Sequence, residues 1–211
     1  MNWDWLVANS DTLLQHLSEH VSITLATVAL GVVVAFPVGL VAHRWERVYA
    51  PVLAVTQVLY TIPSLALFVL LIGVFGLGQL PVVLGLTVYA LVILVRNLGE
   101  GLRAVPAEVS DAATAMGYRP LSRTLVVELP LALPALVAGL RLAVVSTVSL
   151  VSVGALIGTG GLGQLFIHGF QVDNPIEVWA GIVLTAALAL VLDLLVVAAG
   201  RAAAPWSRAV R

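Results

Sequence analysis

Three spacings in the chain match patterns that carry chemistry. His16, Glu19 and His20 read H-x-x-E-H, which on a helix puts two imidazoles on one face, the arrangement of a zinc peptidase. Gly158, Gly160 and Gly163 read G-x-G-x-x-G, the spacing that lets a backbone approach a dinucleotide pyrophosphate. Arg141 and Asp193 stand as lone charges inside long apolar runs, where ionisable side chains are costly and either pair or serve a function. Each pattern acts only if its surroundings supply the rest of the site. The zinc pattern has no third ligand nearby and falls within the first 20 residues, too few for a protease fold. The dinucleotide pattern needs a strand before it and a helix after it, and a long apolar run precedes it here.

The elements that must position these residues are set by composition. Hydrophobic residues make up 61% of the 211 positions and charged residues 10%, against roughly 25% charge in an ordinary soluble domain. That much apolar surface exceeds what a water-soluble core of this size can hide, so the chain reads as a polytopic membrane protein. All ten cations are arginine, and without lysine there is no P-loop. The absence of cysteine excludes disulfides, thiolate catalysis, iron–sulfur clusters and Cys-based zinc sites.

Five runs are long enough to cross a hydrocarbon core, which takes about 20 helical residues. They cover about Val21 to Ala42, Val52 to Ile72, Val82 to Val95, Leu131 to Ile157 and Glu177 to Gly200. The second and third are separated at GVFGLGQLP, Gly73 to Pro81, where Gly, Gln and Pro cluster. Lipid offers the backbone no hydrogen bonds, and the alternation of barrel strands is missing, so the runs are helices. The predicted fold is all-α, a bundle of five transmembrane helices with one long polar loop.

Nine of the ten arginines lie between spans one and two, between three and four, or after five. The other side carries Asp4, Asp11, Glu19 and Asp173 and no arginine. The positive-inside rule then puts the N-terminus outside and the C-terminus in the cytoplasm of a multi-pass cell-membrane protein. The start MNWDW is acidic and aromatic, unlike a cleavable signal, and Trp3 and Trp5 read as interface anchors. On this frame His16, Glu19 and His20 belong to a polar amphipathic helix on the outer surface. His43 and His168 are ordinary interfacial residues, and the glycine run is a flexible outer loop at the mouth of a pathway. Arg141 lies ten residues into span four, roughly 15 Å deep at ~1.5 Å per residue. Asp193 lies at a comparable depth, so the two are expected to face the protein interior and neutralise each other. Pro37 and Pro63 bend their spans. Ser64, Ser146, Thr147, Ser149 and Ser152 suit either a weakly polar path or close helix packing, and the residues leave both open.

The long polar loop is DAATAMGYRPLSRTLVVELPLALP, Asp111 to Pro134. Pro106 suits the first position of a helix, with Glu108 in the turn where the dipole favours an anion. Val105, Val109, Ala112, Ala113 and Met116 recur at helical spacing, and Gly117 ends the helix. Pro120 starts a second short helix, about Leu121 to Val127, so two helices with a Gly elbow protrude into the cytoplasm. Small Ala112 and Ala113 permit close approach by another surface; a weakly helical solvated loop fits the same residues.

Asp111-Ala112-Ala113, three residues, Gly117, nine residues, Val127, one residue, Leu129-Pro130 resembles the EAA motif of ABC importer permeases. That motif reads E-A-A, three residues, G, nine residues, I, one residue, L-P, and the departures are Asp111 for Glu and Val127 for Ile. TIPSLALF at Thr61 to Phe68 and IGTGGLGQLF at Ile157 to Phe166 are similar to permeases for glycine betaine, choline, carnitine and related osmoprotectants. The resemblance runs from about Ser22 to Gly200.

The resemblance implies a type I importer permease with an extracytoplasmic segment 1–20, a membrane domain 21–200 holding a coupling loop 104–130, and a cytoplasmic tail 201–211. It implies an ATPase-coupling set of Asp111, Ala112, Ala113, Met116, Gly117, Arg119, Leu129 and Pro130. In it the two alanines permit docking, Gly117 sets the elbow, and Asp111 meets basic groups of the partner. Arg119 and Arg123 either flank that contact or face lipid headgroups. Pro63, Ser64, Ser146, Ser149, Gly160 and Gly161 are the candidate pathway or gating residues. The implied partners are a cytoplasmic ATPase dimer that binds ATP and Mg, a second permease (same chain or paralogue), an external substrate-binding protein and the lipid bilayer, with no nucleic acid. The chain itself then binds no cofactor and is no enzyme. The rival readings are an ion-coupled secondary transporter and a membrane scaffold subunit that transports nothing.

Overall fold

The computed structural model describes residues 3–208, apart from the side chains of Trp3, Asp4, Glu46, Ser207 and Arg208. The anchor role of Trp3 and the charges of Asp4, Arg208 and Arg211 therefore lie outside the described residues. Among those residues the chain is helical throughout, with no strand, as lipid solvation demands. Four helices are long and apolar enough to span a membrane, and a bent pair is together long and apolar enough to count as a fifth.

A short helix α1 (Trp3–Ala8) leads into α2 (Ser10–Arg44), 35 residues without a break. At ~1.5 Å per residue that is about 52 Å, well beyond a hydrocarbon core of about 30 Å. The expected surface helix before span one is therefore absent as a separate element: residues 10–20 continue the span outward, and the boundary placed at residue 20 falls inside α2. Pro37 sits within α2 without ending it. One face of α2 buries Thr24, Thr27, Gly31, Ala35, Gly39 and Ala42, at steps of three and four, and this small-residue stripe lets α5 (Gln79–Arg103) come close. A methyl on Gly39 would lie 2.4 Å from Leu98 Cδ2. Without a hydrophobic force between helices in lipid, such close packing is what holds them together.

Span two is broken. Helices α3 (Glu46–Tyr60) and α4 (Ser64–Phe75) meet at an angle of 90°. Pro63 lacks an N–H to continue α3 and caps α4, so the bend expected at this proline is a full corner. The corner exposes a carbonyl at Ile62, which accepts a hydrogen bond from the Tyr89 hydroxyl of α5; Tyr89 also stacks edge-on against Tyr60 with ring centroids 5.5 Å apart.

Span three is longer than the run Val82 to Val95 suggests. Helix α5 continues through Arg96 and Glu100, which pair at 2.8 Å one turn apart, to Arg103, whose guanidinium lies 3.5 Å from the Tyr49 ring centroid. Charges on an outward face do not stop a helix whose other face stays apolar. Helix α5 is the centre of the molecule, packed against α2, α3, α4 and α8 (Leu129–Val151). Its partners are drawn from clusters such as Ile23, Phe68, Val82, Leu86 and Val151 near one end and Leu98, Leu102 and Ala132 near the other.

The polar loop holds one separate helix, α6 (Ala107–Ala115). The second short helix is not separate: α7 (Pro120–Arg123) runs through a π-helical turn, Thr124–Glu128, directly into α8. Pro130 and Pro134 are both carried within α8, and the wide turn ahead relieves the backbone crowding that the Pro130 ring causes one turn back, at Val126.

Beyond α8 a 3-10 turn, Ser152–Ile157, leads to the glycine run and helix α9 (Gly163–Gln171). This loop is therefore packed and partly helical, where a flexible one was expected. Thr159, Gly160, Gly161, Leu162, Gly163 and Leu165 are buried. A methyl on Gly154 would meet the Thr159 carbonyl oxygen at 2.1 Å, so the segment folds back hard onto the 3-10 turn that follows α8. Helix α10 (Pro175–Ala203) completes the chain, packed on α8 and α9.

Candidate coupling site

The site grows from α6. Pro106, with φ −57°, caps it, and Glu108 sits in the first turn, where the exposed N–H groups favour an anion. The helix closes at Gly117: its φ is +87°, a left-handed conformation that only glycine adopts cheaply. The Met116, Gly117 and Tyr118 amides donate to the carbonyls of Ala112, Thr114 and Ala113, which satisfies the last turn. No atom lies within 4 Å of where a Gly117 side chain would begin, so backbone geometry and not space demands glycine there.

Of the predicted coupling residues, Asp111, Ala112, Met116, Gly117 and Arg119 share an exposed surface, with Met116 71% exposed. Ala113 does not join them. It is 1% exposed and turned inward, so its small size serves packing and leaves close approach to Ala112. Leu129 and Pro130 are half-buried, and Leu129 packs on the Leu98, Leu102 and Ala132 cluster, rooting the loop. Arg123 is engaged by side chains of the loop itself. Its Nη1 donates to Thr114 Oγ1 at 3.0 Å, and its Nε lies 2.8 Å from Glu128 Oε1, near enough for charge attraction although that N–H is not aligned for a hydrogen bond.

Glu128 is the residue that sequence reasoning missed. It is 2% exposed, and its carboxylate collects partners from three elements. Ser110 Oγ of α6 donates at 2.9 Å, Thr124 Oγ1 of the π turn at 2.8 Å, and His43 Nε2 at the end of α2 lies at 3.1 Å. A carboxylate offers about four acceptor positions, and these three neighbours fill most of them. The available signal was a lone Glu in VVELPLALP, acidic where the apolar run begins. His43, read as an ordinary interfacial residue, is its long-range partner.

The charge pair is formed. Arg141 Nε and Nη2 donate to Asp193 Oδ1 and Oδ2 at 2.7 and 2.8 Å, the bidentate geometry that guanidinium and carboxylate favour. Its placement differs from expectation, since the Arg141 side chain is 46% exposed on the outer surface between α8 and α10. The six candidate pathway residues do not share one setting. Pro63 and Ser64 form the α3–α4 corner, Ser146 is half-buried and Ser149 exposed on α8, and Gly160 and Gly161 are buried in the folded-back turn. Gly161, at φ +48°, packs against His20, whose Nε2 lies 3.0 Å from the Val148 carbonyl oxygen. At the same end a cleft of about 650 Å³ is lined by Trp5, His16, Glu19, Gln164, His168 and Glu177, with His168 Nδ1 2.8 Å from Glu177 Oε1. No group of three His, Asp or Glu among the described residues gathers at one position.

Residues 25–206 match the family of binding-protein-dependent transport system inner membrane components. The chain belongs to that family. This inner-membrane component is 31% identical over 201 residues to the choline transport system permease protein OpuBB of Bacillus subtilis (strain 168), covering 95% of this chain and 93% of that one. It is 34% identical over 198 residues to the glycine betaine/carnitine/choline transport system permease protein OpuCD of the same organism, covering 93% and 86%. It is also 34% identical over 196 residues to the osmoprotectant import permease protein OsmW of Salmonella typhimurium, covering 90% and 91%. Among solved structures, the inward facing MetNI methionine ABC transporter matches with a TM-score of 0.83 and 25% identity, covering 90% of this chain and 95% of that chain. The fold is that of type I ABC importer membrane subunits. The chain is thus a multi-pass transporter subunit and not an enzyme, and ATP hydrolysis belongs to a separate chain.

Proposed function

We propose that the chain is the translocating subunit of an ATP-driven importer for small quaternary-ammonium or zwitterionic osmoprotectants such as glycine betaine, choline and carnitine. The substrate class rests on what its relatives are named for. The coupling role rests on one observation: α6 holds Asp111, Ala112 and Met116 on an exposed face, rigidly closed at Gly117 and fastened to the root of α8. A short helix so presented fits a groove on another protein, with Asp111 available to a basic group.

In this reading α6 docks on one subunit of a cytoplasmic ATPase dimer, which holds the ATP and Mg. A second copy of the chain, or a paralogue, completes the pathway, and an external binding protein delivers the solute. The α6 side is cytoplasmic, together with the tail 201–211, and the start of α2 and the α9 end face outward, as the arginine distribution favours. Closing of the ATPase dimer on ATP moves the docked helices, and the spans reorient to expose the path alternately outward and inward.

Uptake of labelled choline into proteoliposomes holding the chain, its ATPase and its binding protein tests this. The expected result is uptake that requires ATP inside and stops when the ATPase is inactivated. Uptake driven by an ion gradient without ATP would instead identify a secondary transporter, and no uptake of any osmolyte under any drive a scaffold.

A further inference from the structure

Helix α6 packs on α7 and the π turn, so by packing alone it grips the root of α8. A polar tie to α2 passes through one side chain. Ser110 of α6 donates to Glu128 Oε1 at 2.9 Å, and His43 of α2, 85 residues away in sequence, lies 3.1 Å from Glu128 Oε2. We propose that Glu128 is a positioning residue for coupling: it locks the π turn and makes α6, the root of α8 and the cytoplasmic end of α2 move as one body. The proposal rests on the coupling role assigned to α6 above.

A purely local cap does not account for this arrangement. Thr124 Oγ1, four residues back, already donates to Oε2 at 2.8 Å, which would suffice to fasten the turn. Ser110 and His43 come instead from two other elements, and Arg123 joins the same carboxylate to Thr114 of α6. The charge is also kept where it is costly. Glu128 is 2% exposed, whereas the neighbouring acid Glu100 pairs with Arg96 in the open. A buried carboxylate is tolerated only while its partners stay in place, so any motion that separates α6, α2 and α8 must strip it. The π turn sharpens the point. Its wide i→i+5 geometry is a natural place for a helix to slip in register, and Glu128 stands at its last position. With the lock, a displacement of α6 reaches α8 and α2 together; without it, the turn absorbs the displacement.

The test uses the full complex with its ATPase in proteoliposomes, with the binding protein and labelled choline as the probe, and reads solute taken up per ATP hydrolysed. Glu128→Gln keeps the shape and removes the charge. The expected outcome is unchanged co-purification with the ATPase, hydrolysis within about twofold of native, and an uptake-to-hydrolysis ratio lower by about tenfold, an ordinary size for coupling between sites. His43→Gln and Ser110→Ala should each lower the ratio, and neither should add fully to Glu128→Gln, because all three cut one path. Ser110→Ala, which removes one neutral donor and leaves the buried carboxylate its other partners, keeps the ratio measurable should Glu128→Gln fail to assemble. A native ratio in Glu128→Gln or in Ser110→Ala, hydrolysis and uptake falling in proportion, or full additivity would overturn the proposal. Native complex that takes up choline without ATP would overturn the coupling role itself, and the lock with it.

Discussion

Arg141 and Asp193 form a two-toothed clip on the outside of the bundle, with Arg141 46% exposed. In lipid each charge is tolerable only beside the other. Arg141→Ala leaves Asp193 alone on an apolar surface, so it should lower the melting temperature in detergent more than Arg141→Ala combined with Asp193→Ala. A double variant less stable than the single would show that the clip is not a compensating pair. Gly117 answers to a different constraint. Its φ of +87° costs an L-residue roughly 1–2 kcal/mol, while the space around it is empty. Gly117→Val should therefore leave the membrane helices folded, judged by circular dichroism and gel filtration, and abolish ATP-driven uptake; full uptake would remove the elbow from the mechanism.

At the scale of elements, the corner between α3 and α4 depends on the Tyr89 hydroxyl at the Ile62 carbonyl. Tyr89→Phe leaves that half-buried carbonyl without its donor, at a cost of about 1 kcal/mol, that of a typical hydrogen bond. It should lower thermal stability in detergent by that order, and an unchanged melting temperature would mean that water or lipid headgroups serve the carbonyl. Pro63 made a bend here legible in the sequence, because proline removes a backbone donor wherever it falls; the 90° angle was not legible, because a tyrosine from another helix sets it. The same division holds elsewhere. Gly117 marked the end of α6 through its own backbone preference. Nothing local in TLVVE announced a π turn, and nothing in G-x-G-x-x-G distinguished a loose loop from one folded tightly on the turn after α8. Glu128 was illegible for the same reason: its partners His43 and Ser110 lie 85 and 18 residues away. Arg123, four residues C-terminal to Arg119, looked like the same kind of surface cation and proved to be an inner strut.

The whole molecule can be oriented by experiment because the native chain has no cysteine. Met116→Cys just past the end of α6 and Phe170→Cys on α9 place single thiols at positions 71% and 85% exposed. In intact cells a membrane-impermeant maleimide should label Phe170→Cys and reach Met116→Cys only after permeabilisation. The reverse pattern would invert the assigned topology. Burial is spread unevenly across the bundle: 61% of the most apolar stretch of α5 is buried, against 6% for α10. The most apolar helix is thus the one given to lipid, while the central one relies on its neighbours. That ordering bears on synthesis. By the time α8 leaves the ribosome, the core residues Ile23, Phe68, Val82, Leu86 and Val151 have all been made, whereas the cluster of Val148, Leu162, Leu165 and Leu188 closes only when α9 and α10 follow.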